Sequence, residues 1–400
     1  MTGHPGSGPL GAVRYVDEFR DGALADTLSR AIRAEADPGR AYRLMEFCGG
    51  HTHAIFRYGL IDLLPGNVTM VHGPGCPVCV LPISRMDQAI QLARDHGVIL
   101  CTYGDLLRVP GIERDTLLKA RAHGADVRMV YSSLDALSLA RSHPDREVVF
   151  FAIGFETTTP PTAVALLQAR AEGLGNFSVH CNHVLTPAAI SGLLASARRA
   201  EAAGEPGLAL DGFVGPAHVS AVIGSRPFER FAFEHRTPVV IAGFEPLDVM
   251  QAILMLIRQL NDGRAEVENE YTRVVCRNGN RKAQALMAEV FQLRPAFEWR
   301  GLGTLPDSAL RLRDGFADFD AERRFALNAP DVADSKACEC AAILRGVKKP
   351  TECRIFATAC TPDNPIGACM VSSEGACAAY YTYGRYRDAA AERVAQPAGT

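Results

Sequence analysis

Short runs of apolar and β-branched residues recur along the chain, and each run ends in a loop of Gly, Pro, Cys, His or Asp. Such runs predict buried β-strands, and the helix-period segments between them predict helices that connect parallel strands. The predicted strands are residues 44–47, 68–72, 98–102, 127–131, 148–153, 177–181, 212–214 and 239–242. The predicted helices between them are residues 85–96, 114–123, 162–172, 187–203 and 246–261.

This alternation predicts an α/β fold with two similar parallel-sheet domains in tandem, residues 41–145 and 146–292. A cysteine-rich region is expected over residues 293–386, where the alternation weakens. An N-terminal helical segment, residues 1–40, is expected to pack with that region, and residues 387–400 are expected to be a frayed tail. Because ligands bind at the carboxyl ends of strands in open parallel sheets, two such edges are expected to enclose a cleft between the domains.

Composition and charge narrow the class of protein. Hydrophobic residues make up 48% of the chain and charged residues 22%, so a large core can be buried. The net charge of −3 gives no reason to expect nucleic acid or an anionic membrane as a partner. No run approaches the roughly 18 apolar residues that span a bilayer. The N-terminal sequence lacks a basic region followed by an apolar stretch. We therefore predict a cytoplasmic protein.

The distribution of the twelve cysteines points to metal or redox chemistry. Clustered cysteines in a reducing compartment are more often ligands or redox groups than structural disulfides. Six of them lie within forty residues near the C-terminus: Cys338, Cys340, Cys353, Cys360, Cys369 and Cys377. An iron–sulfur cluster needs about four converging thiolates, and Cys360-Thr-Pro is similar to the Cys-Pro that closes many cluster-binding loops. Zinc is the competing metal, and the spacing alone does not select four ligands from six.

Two further cysteine motifs follow the first two predicted strands. Cys76 and Cys79 form a C-x₂-C pair, which predicts a redox dithiol, with an inert buried pair as the alternative. Cys48, His51 and His53 lie within F-C-G-G-H-T-H, where one soft and two borderline ligands suit iron, zinc or copper. The histidines could instead lower the pKa of Cys48, or the motif could be a helix-capping turn.

Weaker signals lie at the other strand ends. Glu156 in G-F-E-T-T is a candidate acid or base, with a helix-capping turn as an equal alternative. His183 and His218 each follow a predicted strand, and a lone histidine is more often structural than a ligand. The chain contains neither a Walker A loop nor a complete G-x-G-x-x-G, so nucleotide binding has no positive support.

Taken together, the motifs resemble the HypD hydrogenase-maturation family. The resemblance runs from about residue 15 to residue 383, and long strings carry it: FCGGHTH (47–53), HGPGCPVCVLP (72–82), GFETT (154–158), GPAHVS (215–220), AGFEPLD (242–248) and CTPDNPIGACMVSSEGACAAYY (360–381). It implies a scaffold that, with a small HypC-type chaperone, assembles the Fe(CN)₂CO unit of [NiFe] hydrogenase. A HypE-type protein would donate the cyanide.

The resemblance also implies roles for individual residues. Cys48 would bind Fe²⁺ with His51 nearby, and Cys76 and Cys79 would be the redox dithiol. The family pattern C-x₁₂-C-x₆-C-x₁₆-C places the ligands of a [4Fe-4S] cluster, which would pass electrons towards that dithiol, at Cys340, Cys353, Cys360 and Cys377. Ala341 departs from the Gly that usually follows the first ligand, which leaves Cys338 as an alternative to Cys340.

The implied activity is that of a metal-centre assembly scaffold with redox chemistry rather than a conventional turnover enzyme. Two alternatives stay open at this point. One is a stand-alone iron–sulfur protein-disulfide reductase, which would use the same dithiol and cluster but leaves Cys48 and His51 unexplained. The other is a zinc-bound structural platform.

Overall fold

Both kinds of regular element follow the predicted alternation in the structure, a computed structural model that describes residues 17–202, 208–328 and 335–384. The strands, numbered in chain order, are β1 Tyr42–Glu46, β2 Val68–His72, β3 Ile99–Thr102, β4 Val127–Met129, β5 Val148–Gly154, β6 Phe177–His183, β7 Gly212–Pro216, β8 Val239–Ala242, β9 Val267–Asn269, β10 Phe291–Trp299 and β11 Gly303–Leu312. The helices are α1 Gly22–Glu35, α2 Gly49–Arg57, α3 Pro77–Val80, α4 Ile83–Arg94, α5 Leu117–Ala122, α6 Ser133–Ser142, α7 Thr159–Glu172, α8 Thr186–Ala202, α9 Ala217–Ile223, α10 Arg226–His235, α11 Pro246–Asn261, α12 Arg281–Val290, α13 Ala321–Arg324, α14 Cys340–Leu344 and α15 Ala376–Ala379.

The predicted α/β class, with two parallel sheets and a cysteine-rich C-terminal region, is confirmed. The first sheet has the strand order β2-β1-β7-β8-β9 and the second has the order β4-β3-β5-β6. All strand pairs within these two sheets are parallel. Every residue of β5 and β6 is buried, as expected for parallel strands covered by helices on both faces.

The strands of the first sheet are not contiguous in the sequence. β1 pairs with β2 on one side and with β7, which follows residue 210, on the other. The whole second sheet, β3 to β6, lies between β2 and β7 in the chain. The boundary predicted after residue 145 therefore falls between β4 and β5 of a single sheet, and the sheets are interleaved rather than in tandem. Apolar periodicity identifies strands but contains no information about which parallel strands will pair.

The N-terminal helix α1 packs on the first sheet rather than beside the cysteine-rich region. Its buried Ile32 shares a core with Tyr42 of β1 and with Ile253 of α11. Arg258 of α11 donates to the Glu35 carboxylate at 2.8 Å. The amphipathic pattern of the helix predicted a buried face but not the partner of that face. Residues 1–16 and 385–400, which include the predicted frayed tail, lie outside the described part of the chain.

An antiparallel hairpin, β10–β11, connects the second sheet to the C-terminal region. The Leu185 N–H, just after β6, donates to the Ser308 carbonyl of β11 at 2.8 Å. At the hairpin turn, the Arg300 N–H donates to the Val80 carbonyl of α3 at 2.8 Å. The cysteine-rich region then packs on both loops that carry the N-terminal cysteines, since α15 contacts α2 and residues 368–370 contact α3.

Candidate functional site

Cys48 lies at the carboxyl end of β1, where the chain turns into α2. It is the N-cap of that helix, and its carbonyl accepts the His51 N–H at 2.9 Å. The thiol is half-buried. Burial and then the charge of Glu374 raise the pKa of Cys48 well above its ordinary value. This shift is opposite in sign to the one that a nearby protonated histidine would cause, so the surroundings favour a neutral Cys48 thiol.

The His51 side chain connects α2 to the loop after β8 by hydrogen bonds. Its Nε2–H donates to the carbonyls of Ala242 and Gly243, both at 3.0 Å, while Nδ1 has no hydrogen-bond partner among the described residues. Burial lowers the pKa of His51, so the ring is neutral. His53, the second histidine of the motif, lies with its ring 5.3 Å from that of Tyr383 in the C-terminal region.

Cys76 and Cys79 are paired as a disulfide at the start of α3, directly beside the Cys48 loop. Cys76 is the N-cap of α3, and its Sγ accepts the Cys79 N–H at 3.3 Å. The two loops touch through backbone, because the Gly49 N–H donates to the Gly75 carbonyl at 3.2 Å. A Cβ on Gly75 would lie 2.5 Å from the Cys48 nitrogen, so only glycine fits at this crossing. The structure thus brings together the two predicted N-terminal cysteine sites.

A cleft of about 500 Å³ opens in front of these loops. Its walls come from the carboxyl ends of strands in both sheets, as the rule for open parallel sheets predicts. Cys48, Val78 and His218 line it from the first sheet, and Tyr103 and Thr157 line it from the second. The predicted cleft between two strand-end faces is therefore present.

Glu374 completes the cleft from the C-terminal region, and sequence reasoning missed it. The residue is exposed as a whole, but its side chain lies across Gly49, where an added Cβ would be 2.3 Å from the Glu374 Cβ and 2.9 Å from its Oε2. This partial burial of the carboxyl group, and then Asp105 and Glu46, raise the pKa of Glu374. The sequence signal for Glu374 is its place in the V-S-S-E-G string, between Cys369 and Cys377.

Glu46 is a second missed residue, and it is one of the most buried carboxylates in the described chain, with 1% of its surface exposed. It accepts the Cys48 N–H at 3.0 Å and the His72 Nδ1–H at 2.8 Å. The Thr52 hydroxyl also donates to it. Glu46 and His72 are the last residues of β1 and β2 and face each other directly in the strand register.

Glu156 does not belong to the Cys48 cleft. It lines a different cavity, of about 680 Å³, between α8, α12 and the β10–β11 hairpin. Its two carboxylate oxygens accept the N–H and the hydroxyl of Thr186, both at 3.0 Å. Burial raises the pKa of Glu156 to about 7. Glu156 thus contacts the start of α8 and not the helix that follows its own turn, α7, whose N-cap Thr158 makes no side-chain capping hydrogen bond. The predicted capping turn is therefore wrong in its details, and the described contacts of Glu156 do not include the cysteine sites.

The six C-terminal cysteines lie near one another, and the sulfurs of Cys338 and Cys340 lie next to Gly367. The Cys340 thiol is close enough to those of Cys338, Cys369 and Cys377 to be the first cause of a shift in the pKa of each. The Cys360 sulfur accepts the Ile366 N–H at 3.4 Å. Burial raises the pKa of Cys360, and the nearby Cys338 and Cys353 raise it further.

The donor chemistry of this group fits an iron–sulfur cluster. A Cβ on Gly367 would lie 2.6 Å from the Cys340 Sγ and would also strike the Cys338 Sγ, so glycine leaves the space between thiols open. Within residues 17–202, 208–328 and 335–384, no three His, Cys, Asp or Glu side chains are arranged to hold a single metal ion. The fit therefore depends on the number of thiols and on this open cradle, and the four predicted ligands stay a prediction.

None of the helices in the described ranges combines the length and the apolarity needed to cross a membrane.

Comparison with known proteins identifies the family. The HypD family model, described as "Hydrogenase formation hypA family", matches residues 23–384. The chain is 66% identical over 377 residues to the hydrogenase maturation factor HypD of Azotobacter vinelandii, covering 94% of this chain and 98% of that protein. It is 64% identical over 376 residues to that of Cupriavidus necator, covering 94% and 98%. It is 45% identical over 376 residues to that of Escherichia coli strain K12, covering 93% and 98%. The chain belongs to the HypD family of hydrogenase maturation factors.

Proposed function

We propose that this protein is the scaffold on which, together with a small HypC-type chaperone, the Fe(CN)₂CO unit of [NiFe] hydrogenase is assembled. One observation supports this most strongly: Cys48, the Cys76–Cys79 loop and Glu374 of the cysteine-rich region meet at a single cleft. Three sequence motifs that are far apart in the chain thus converge on one place large enough for an iron ion and several small ligands. A HypE-type protein would donate cyanide at the open mouth of this cleft.

Cys48 is the proposed iron thiol, and its surroundings favour a cation over a bare thiolate. Burial and the nearby carboxylates of Glu374 and Glu46 disfavour negative charge on its sulfur when it is alone. The same negative groups attract a divalent cation, and the thiolate is the form of cysteine that binds metal. Fe²⁺, the substrate of the assembly, would therefore displace the Cys48 proton and compensate the local charge.

Cys76 and Cys79 are the proposed redox pair. Opening the disulfide takes up two electrons and two protons and gives two thiols, and closing it returns them. The pair borders the Cys48 loop, so its electrons would be used beside the iron rather than in solution. Residues Cys340, Cys353, Cys360 and Cys377 would hold the cluster, which when bound supplies one-electron transfer.

The stand-alone disulfide reductase is the weaker candidate. Cys76 is 3% exposed and Cys79 is fully buried, so the disulfide of another protein has no direct access to either sulfur. Thiol–disulfide exchange needs in-line attack on a sulfur. A substrate within the cleft suits this burial better than a protein substrate does.

Infrared spectroscopy of the chaperone complex tests the proposal. The chain would be purified anaerobically with its HypC-type partner, and iron, sulfide and the cyanide and carbonyl stretching bands would be measured for wild type and for Cys48→Ala. Cys276→Ala is the matched control, because Cys276 is an exposed free cysteine that does not line the cleft. We expect the bands in wild type and in the control, and their loss in Cys48→Ala. Bands that persist in Cys48→Ala would contradict the assignment.

A further inference from the structure

The cysteine loops at the cleft are joined through one buried carboxylate. Glu46 accepts the Cys48 N–H through Oε2, at 3.0 Å, and the His72 Nδ1–H through Oε1, at 2.8 Å. Its backbone carbonyl accepts the Gly73 N–H at 2.9 Å. Glu46 thus hydrogen-bonds to Cys48 and also to His72 and Gly73, from which the chain runs on to Cys76.

The hydrogen bonds of Glu46 are of a strong type, so they can transmit a movement of His72 or Gly73 to Cys48. A buried carboxylate is costly unless donors satisfy it, and charge-assisted hydrogen bonds are shorter and stronger than neutral ones. A shift of His72 or Gly73 would therefore draw the Glu46 side chain with it rather than break the contact. The His72 ring is confined by Phe56 and by Tyr380 of the C-terminal region, with centroids at 5.1 and 5.4 Å, so it has little freedom to absorb the shift itself.

We infer that Glu46 is a positioning residue that couples the two loops: the state of the Cys76–Cys79 pair, open or closed, sets the placement of Cys48 through His72 and Glu46. This deepens the proposed function and rests on it, since it concerns the same iron thiol and the same dithiol. Closing the disulfide constrains the loop from His72 to Cys79, and opening it releases that constraint. During assembly, the ability of Cys48 to bind iron would then depend on the redox state of the Cys76–Cys79 pair.

A carboxamide at position 46 weakens this connection without changing its shape. Glu46 offers only acceptors to the Cys48 N–H, the Thr52 hydroxyl and the His72 ring. Glutamine offers one acceptor and one donor, so its NH₂ group can face His72 only if the ring proton moves from Nδ1 to Nε2. In Glu46→Gln the charge-assisted hydrogen bonds to both loops are therefore replaced by weaker neutral ones.

The chemical reactivity of Cys48 reports the coupling without any metal. The rate of alkylation of Cys48 by iodoacetamide would be measured by peptide-resolved mass spectrometry at fixed pH. Oxidised wild type has the closed loop, and Cys76→Ser/Cys79→Ser has a loop that cannot close. We expect the two rates to differ by about fivefold or more, the low end of measured site-to-site couplings. The ratio should fall to within about twofold when Glu46→Gln is added to both forms.

Two further variants guard against misfolding and indirect effects. Thr52→Val removes a third donor to Glu46 but leaves both loop contacts, so it should keep the wild-type ratio. His72→Phe keeps a ring but removes the donor from the dithiol side, so it should lose the ratio as Glu46→Gln does. Equal rates in the closed and open forms, or an unchanged ratio in either Glu46→Gln or His72→Phe, would overturn the inference. Neither result would remove the infrared bands of the chaperone complex, whose loss concerns the proposed function instead.

Discussion

Substitution of Gly75 by alanine tests the close crossing of the two cysteine loops. The added Cβ would lie 2.5 Å from the Cys48 nitrogen and 2.7 Å from its Cα, and both are backbone atoms that cannot rotate away. Ordinary contact between such atoms is about 3.5–4.0 Å, so the loops must separate by about 1 Å. Overpacking of this kind costs about 1–3 kcal/mol.

Two assays measure the consequence of Gly75→Ala. Each kcal/mol lowers Tm by roughly 2–4 °C for a unit of 150–250 residues, so calorimetry should show a loss of at least about 2 °C. The yield of cyanide-bearing iron on the chaperone complex should fall more steeply, because a misplacement of about 1 Å at reacting groups can cost about a hundredfold.

Gly66→Ala is the matched control for this substitution. A Cβ at Gly66 would meet no atom within 4 Å among the described residues, so its Tm and yield should equal those of wild type. If Gly75→Ala behaves like Gly66→Ala in both assays, the loops do not cross as closely as the structure has them, and the reasoning fails.

Two carboxylates, the half-buried Glu322 and the buried Glu156, give opposite pH dependences of stability. Burial opposes ionisation of Glu322, but the guanidinium groups of Arg85 and Arg294 outweigh it and hold the pKa of Glu322 well below its ordinary value. Glu322→Gln should therefore destabilise by about 3–5 kcal/mol at neutral pH, and the difference in Tm from wild type should shrink as pH falls below about 4. A difference that is the same at pH 3.5 and pH 7 would contradict this. Burial instead raises the pKa of Glu156 to about 7, so the stability it contributes is present below about pH 4 and is lost as pH rises through 7. Glu156→Gln should unfold at a higher temperature than wild type at pH 8 and keep the infrared bands. A lower Tm at pH 8 would contradict the raised pKa, and lost bands would restore Glu156 as a site residue.

Local sequence pattern predicted the elements well because burial on two faces of a parallel sheet forces continuous apolar runs. Eight predicted strands coincide with β1 to β8, and the predicted helix 246–261 coincides with α11. The strand order was beyond reach, since pairing between β1 and β7 joins residues that are far apart and leaves no local signal. The β10–β11 hairpin was missed because its exposed positions break the alternation.

The residues of the candidate site also fall into those that the sequence predicts and those that only the folded chain brings together. Cys48, Cys76 and Cys79 are rare residues at strand ends, so residue type and the position after a strand sufficed to find them. Glu374 and Glu46 are common residues whose roles arise only when the C-terminal region folds onto α2 and when β1 pairs with β2. Glu156 shows the converse, because a strand-end carboxylate with the expected sequence context caps a helix at a different cavity.

The most direct test of the central claim is whether iron is bound to the sulfur of Cys48 in the chaperone complex. Selenium would replace that single sulfur, and the selenium absorption edge of the complex would be recorded under conditions that give the cyanide and carbonyl bands. We predict an iron atom at bonding distance from the selenium, in addition to the side-chain carbon. A selenium bonded to carbon alone, in a sample whose infrared bands are intact, would place the iron elsewhere and exclude Cys48 as its ligand.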